Sequence, residues 1–183
     1  MPYNVYLVDT MDRIGSGARR DAVKAALQPY FDAIAKQAKF DGGALVSFVV
    51  ANPQPKDYEL IVYFCSQNWH VVSQLPGASS INIEAGGGLT VWNHAVTGSD
   101  VAADGKMEPV ALANLAFHEM MHNKLHLGES LHKQGGLAAD TIDSSMRPSD
   151  GNIKAMAAAL KTKRPQWTDG FQALEDRVKP IKP

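Results

Sequence analysis

Residues 117–132 read FHEMMHNKLHLGESLH and carry four of the chain's six histidines. The first two, His118 and His122, are four positions apart, and that spacing limits the local structure severely. Side chains four apart stack on one face of an α-helix, whereas on a strand the same two would stand about 13 Å apart. If the two rings act together, the chain around them is helical. The sequence also supplies the bounds of such a helix. Pro109 suits the first turn, where its missing N–H costs nothing, and Glu108 beside it favours the positive helix end. Gly128 suits the C-cap. The reading is one helix over 110–127, after which the chain can turn back on itself.

Before this segment the sequence alternates between strand and helix signals. Val5-Tyr6-Leu7-Val8 reads as a buried strand ended by Asp9-Thr10. Val23, Ala26, Leu27, Tyr30, Phe31, Ile34 and Ala38 fall on one face of a helix spanning about 18–40. Pro29 lies inside it and predicts a kink or two consecutive helices. Ala44–Val50 and Tyr58–Cys65 read as further strands, rich in β-branched and aromatic residues. Ile81–Glu84 and Leu89–Trp92, around Gly86-Gly87-Gly88, read as two more. A polar loop follows from about Thr97 to Lys106. After Gly128 the stretch 129–149 looks irregular, then a helix runs over 151–163 with Ser149 or Asp150 as its cap, stopped before Pro165. A short helical piece near Phe171–Val178 is the last signal. The sheet and the histidine cluster thus occupy different parts of the chain.

The chemistry follows from the spacing. His118 and His122 can aim two imidazole nitrogens at one ion, at the roughly 2.0–2.1 Å that zinc prefers. Glu119 lies about 100° round the helix, near the metal but off the ligand stripe. A carboxylate there can take a proton from a water the metal activates and pass it to a leaving amine. A catalytic zinc takes three protein ligands and keeps one position open. His126 continues the four-residue rhythm, but a rise of 1.5 Å per residue sets it about 12 Å from His118, out of reach on an unbroken helix. Its expected role is polar, at the helix end. His132, four residues past the glycine, is the preferred third ligand. Asp140 and Asp143 are the alternatives. Cys65 closes the apolar run Leu60–Cys65 and reads as a buried, inert thiol rather than a ligand.

His118-Glu119-Met120-Met121-His122, then a glycine, then His132, resembles the metzincin metallopeptidases. Their pattern is H-E-x-x-H-x-x-G-x-x-H, followed by a tight turn that holds a methionine beneath the metal. Asp143-Ser144-Ser145-Met146-Arg147-Pro148 is similar to that turn, with Met146 as the methionine. The spacing departs from the family. Leu125 and Gly128 stand where glycine and the third histidine would fall, and both features arrive later here. No tyrosine follows Met146, so the tyrosine ligand of some members is missing. A looser zincin, with an acidic ligand such as Glu175, is the neighbouring reading.

The resemblance implies an α+β fold and a single zincin-like catalytic domain over 1–183. A mixed twisted sheet, a long helix and the motif helix would form a lobe over 1–127, with a small irregular and helical lobe over 128–183. It also implies a zinc metalloendopeptidase, with His118, His122 and His132 on Zn2+ and Glu119 as general base. An edge strand from Ser80–Trp92 would line the cleft and bind peptide in extended form. Trp92, Asn93 and His94 would either border it or close a buried strand end.

Composition narrows the other possibilities. With 45% hydrophobic and 20% charged residues the chain is an ordinary globular sequence, long enough to bury a core. A formal charge of -1 argues against a nucleic-acid partner, which needs a positive field. One cysteine permits no internal disulfide. No apolar run approaches the length of a membrane span, and no signal peptide is visible, so the expected location is cytoplasmic or reached by a signal-independent route. The expected partner is a peptide or protein substrate. Two rivals share the histidines: a zinc-binding structural or interaction module without hydrolysis, and a toxin-like hydrolase of another amide.

Overall fold

A computed structural model describes residues 1–9, 12, 14–50, 59–65, 94–98, 108–125, 127 and 129–161. Four strands, β1 (Tyr3–Val8), β2 (Ala44–Val49), β3 (Leu60–Cys65) and β4 (His94–Gly98), form one sheet in the order β2-β1-β3-β4. Helix α1 (Gly17–Gln37) links β1 to β2, α2 (Pro109–Leu125) carries the histidine motif, and α3 (Asp150–Ala159) follows two short 3-10 turns, Glu129–Gln134 and Gly136–Ala138. The result is an α+β arrangement. Every pairing among the described strands is parallel, with Val5 beside Val46 on one side and Leu60 on the other. The antiparallel part of the expected mixed sheet is therefore not among them. The strands expected at 81–84 and 89–92 lie outside the described residues.

The alternation of β1 shows which face is covered. Tyr3, Val5 and Leu7 are buried, as are Leu60, Val62 and Phe64 on β3, whereas Asn4 and Tyr6 are only half-buried. The buried set joins Leu27, Phe31 and Ile34 of α1 and Leu112, Phe117 and Met121 of α2 in one cluster. Phe117 meets Phe31 edge-on at 5.8 Å and Tyr30 at 5.5 Å, the favoured geometry for aromatic pairs. Each fully buried phenylalanine contributes about 1.5–3 kcal/mol. Helix α3 packs on both α1 and α2. The motif helix is thus clamped between the sheet and two other helices, with His118, Glu119 and His122 all buried.

Four sequence expectations shift in detail. Helix α1 runs unbroken through Pro29 rather than dividing into two. Pro29 and Ala25, whose carbonyl loses its helical donor, are both exposed, so water can take the missing bond. Helix α2 stops at Leu125, two residues early, and the Leu127 carbonyl beyond it lies against the His122 ring. Helix α3 begins at Asp150, capped by a reciprocal pair in which Ser149 Oγ accepts from Asn152 N and Asn152 Oδ1 accepts from Ser149 N. Strand β4 was not expected, and it takes Thr97 and Gly98 out of the polar loop. No helix among the described residues is long and apolar enough to cross a membrane.

Candidate metal centre

The local sequence brings three imidazoles to one place. His118 and His122 project from the same face of α2, as their four-residue step requires. After the helix ends, the 3-10 turn Glu129–Gln134 returns the chain and delivers His132. The Nε2 atoms of His122 and His118 lie 3.0 Å apart, and those of His122 and His132 lie 3.2 Å apart. The potential ligand atoms of all three residues fall within 4.8 Å of one another. Two nitrogens at zinc distance from one ion, separated by the tetrahedral angle, sit about 3.3 Å apart. The three residues can therefore hold one metal ion.

The proton positions point the same way. His118 Nδ1 lies 2.8 Å from the carbonyl oxygen of Leu137, and His122 Nδ1 lies 2.6 Å from that of Leu127. A carbonyl only accepts, so each Nδ1 carries the hydrogen and each Nε2 of the neutral ring presents a lone pair. Burial keeps both rings neutral: it pushes the His118 pKa down to about 4 and that of His122 to about 3, against a smaller upward pull from the two carbonyl bonds. Converging lone pairs repel one another at 3.0 Å. A cation among them turns that repulsion into ligation.

Glu119, one residue on, is buried, and its Oε2 has no hydrogen-bond partner among the described residues. Burial raises its pKa well above the usual carboxylate range. A buried carboxylate oxygen without a partner is costly and calls for a proton, a cation or a bound polar molecule. The expected base is thus placed beside the ligand stripe.

The alternatives to His132 have other surroundings. The Asp140 carboxylate lies 2.5 Å from Nδ1 of His132, on the side of the ring away from the other histidines. Asp143 is exposed, and its Oδ1 accepts from the backbone N–H and the hydroxyl of Ser145, which hold its pKa low. His126 and Glu175 lie outside the described residues, as do Gly128, Trp92 and Asn93. Of Cys65 only the backbone, in β3, is described.

Sequence reading missed the residues that hold this geometry in place. Asn114 is one helical turn before His118 on the same stripe and is fully buried. Its amide donates to the carbonyls of Asp143, at 2.7 Å, and Met146, at 3.1 Å. The turn containing Met146 is thereby tied to the motif helix, with Met146 half-buried against the core. On the other side, Asn152 Oδ1 accepts from Leu137 N and its amide donates to Gly135 O. Leu137 is the residue whose carbonyl orients His118. Gly136 has φ +61, and a Cβ there would come within 2.4 Å of Asn152 Oδ1. One signal was available: Asn114 is the lone polar residue in the otherwise apolar first turns of α2.

No protein-family model, curated protein or solved structure matches this chain.

Proposed function

We propose that the chain is a zinc-dependent metallopeptidase of the zincin type, cleaving peptide bonds in peptide or protein substrates. The observation that carries this reading is a pair of features on one helix. Two buried imidazoles present Nε2 lone pairs toward a third, and the residue after the first is a buried glutamate with an oxygen unpartnered among the described residues. A structural site needs the imidazoles but has no use for the glutamate. His118, His122 and His132 would hold the ion, leaving a fourth position open. Zinc bound there would act as a Lewis acid on the scissile carbonyl and lower the pKa of a water. Glu119 would take the proton of the attacking water and return it to the departing amine. Its buried setting, which raises its pKa, suits a group that must hold that proton between the two steps.

Zinc is favoured among the metals because three neutral imidazoles near tetrahedral spacing are its common catalytic donor set, although nickel, copper and iron also accept imidazole. The test combines metal analysis with cleavage of an unfolded protein substrate. The wild type should carry close to one equivalent of zinc and cleave. Glu119→Ala should keep the metal and lose at least 100-fold in rate, whereas His122→Ala should lose both. A wild type that holds zinc and cleaves no peptide would leave a metal-binding module and sink the peptidase reading.

A further inference from the structure

The three imidazoles are not held alike. His118 and His122 stand on α2, buried on the ligand stripe, and each gives its Nδ1 hydrogen to a backbone carbonyl. His132 stands on a short 3-10 turn outside the helix, where no long helical ladder fixes its backbone. Its ring stacks on that of His118, with centroids 5.3 Å apart and planes within 17°, and crosses that of His122 at 86°. The group on its Nδ1 is a side chain, the Asp140 carboxylate, at 2.5 Å.

We propose that Asp140 is the positioning residue for the third ligand: by accepting the Nδ1–H of His132 it directs the Nε2 lone pair to the point shared with His118 and His122. The assignment rests on the reading of the three histidines as a metal centre. The ring nitrogens face in different directions, so a carboxylate on Nδ1 is kept from the ion while it fixes which nitrogen the ion receives. Asp140 therefore serves the site through His132, not as the ligand that sequence spacing also allowed. The placement suits this role. The Asp140 side chain is 76% exposed and that of His132 only 9%, so the carboxylate reaches inward from the surface to the ring nitrogen. Loss of this acceptor removes a contact that favours the Nδ1–H form over the Nε2–H form, which cannot ligate.

The experiment compares the full-length wild type with Asp140→Ala, Asp140→Asn, His132→Ala and the double variant Asp140→Ala/His132→Ala. The probes are Zn2+ and Co2+ alone, titrated against a competing chelator. Unfolding of the metal-free proteins checks the fold, which an exposed side chain should leave unchanged. Asp140→Ala should bind 10- to 100-fold more weakly, the usual effect of removing a group that orients a ligand. The Co2+ spectrum should shift toward that of His132→Ala. Asp140→Asn keeps an oxygen acceptor and should recover most of the affinity. In the His132→Ala background the loss of Asp140 should change nothing further. Nitrogen-15 shifts of the metal-free wild type should show His132 as the Nδ1–H tautomer, and Asp140→Ala should show a mixture.

Unchanged affinity in Asp140→Ala would overturn the assignment, and so would an Asp140 effect that persists without His132. An Asn variant as weak as the Ala variant would overturn it too, since charge rather than the hydrogen bond would then be responsible. These readouts do not involve hydrolysis. A wild type that binds Co2+ through three imidazoles but cleaves nothing removes the peptidase reading and leaves Asp140 in place. A wild type that cleaves, with Asp140→Ala binding normally, removes only the Asp140 role.

Discussion

Tyr30 of the first helix gives its hydroxyl hydrogen to Asn114 Oδ1 of the motif helix at 2.8 Å, across a sequence separation of 84 residues. That bond orients the amide so that both of its hydrogens reach the turn at Asp143–Met146. Burial raises the Tyr30 pKa, so the hydroxyl stays a donor through any ordinary pH, with Arg147 a smaller opposing influence. Asn114→Ala removes the acceptor of the Tyr30 hydroxyl and a donor to each of two carbonyls, of which Met146 O keeps its bond from Arg147, and should cost about 2–4 kcal/mol. Tyr30→Phe removes only the first bond and should cost about 1 kcal/mol. The double variant should lose less than the sum, since one bond is shared. Urea unfolding of the three proteins measures this, and additive losses would contradict a common network.

How much of this was legible in the sequence depended on the range of the interaction. Strands β1, β2 and β3 announced themselves as short apolar runs, α1 through its helical periodicity, and α2 and α3 through the capping and stop residues at their ends. Strand β4 did not: five residues ending in Gly98 carry too little pattern, and β3 supplies its hydrogen bonds. The unit of His118, Glu119 and His122 was readable because a helix converts spacing directly into geometry. His132 was readable less directly, through a glycine stop and a chain able to return. The partners of Asn114, Tyr30 and Asn152, and the contact of Asp140 with His132 Nδ1, were not readable. They exist only once distant segments meet, and the isolation of Asn114 among apolar residues marked its position without showing what it binds.

Gly135 and Gly136 allow a contrast between two neighbouring alanines. Both have positive φ, but a Cβ at Gly135 meets open space, whereas one at Gly136 would strike Asn152 Oδ1 and approach Ser149 Cβ to 2.9 Å. Gly135, at φ 65 and ψ -173, lies in a region almost confined to glycine, so Gly135→Ala should cost the backbone penalty alone, about 1–3 kcal/mol. Gly136→Ala has a backbone penalty of its own and adds a steric displacement of the segment whose Leu137 carbonyl holds His118, about 1–3 kcal/mol more. Because His118 would lose its orientation, zinc affinity should fall about tenfold in Gly136→Ala and stay near wild type in Gly135→Ala. Equal affinities in the two variants would separate this segment from the metal centre.

The metal-free protein should respond to pH in two opposed ways. His118 and His122 have folded pKa values of about 4 and 3, below those of free imidazole. The unfolded chain therefore binds more protons below about pH 6.5, and their contribution to stability is lost as pH falls through that range. Glu119 has its folded pKa raised, so the folded chain holds its proton longer. Its contribution is present below the ordinary carboxylate pKa and lost as pH rises. With a chelator present, the wild type should carry a loss of stability as pH rises above the ordinary carboxylate range, opposing the gain from the two histidines, and Glu119→Gln should remove that loss. Metal should flatten the Glu119 trend by supplying a positive partner, and should steepen the histidine trend, because ligation requires unprotonated rings. Urea midpoints across pH 4–9, with and without zinc, read all of these. A chelated Glu119→Gln that follows the wild type would show that the buried carboxyl is not the source.

Strand β2 has a strand neighbour only on its β1 side among the described residues. Its other side would offer free backbone groups, which invite pairing with another chain. Gln28 of α1 covers that side. Its Nε2 donates to Ala44 O at 3.0 Å and its Oε1 accepts from Val46 N at 2.9 Å, so one side-chain amide takes the place of a neighbouring strand's peptide group. Nε2 also donates to Asp32 Oδ1 at 2.8 Å, which steadies the amide in that orientation. Apolar side chains stand exposed on this strand and just past its end, at Leu45 and Val50. Gln28→Ala should lose about 1–2 kcal/mol of stability from the two edge bonds. It should also form dimers or larger species as concentration rises, because an uncovered edge beside exposed apolar side chains favours strand addition. Sedimentation velocity over a hundredfold concentration range reads the second effect separately from the first. A destabilised variant with unchanged sedimentation would show Gln28 to be a helix–strand tether and not an edge guard.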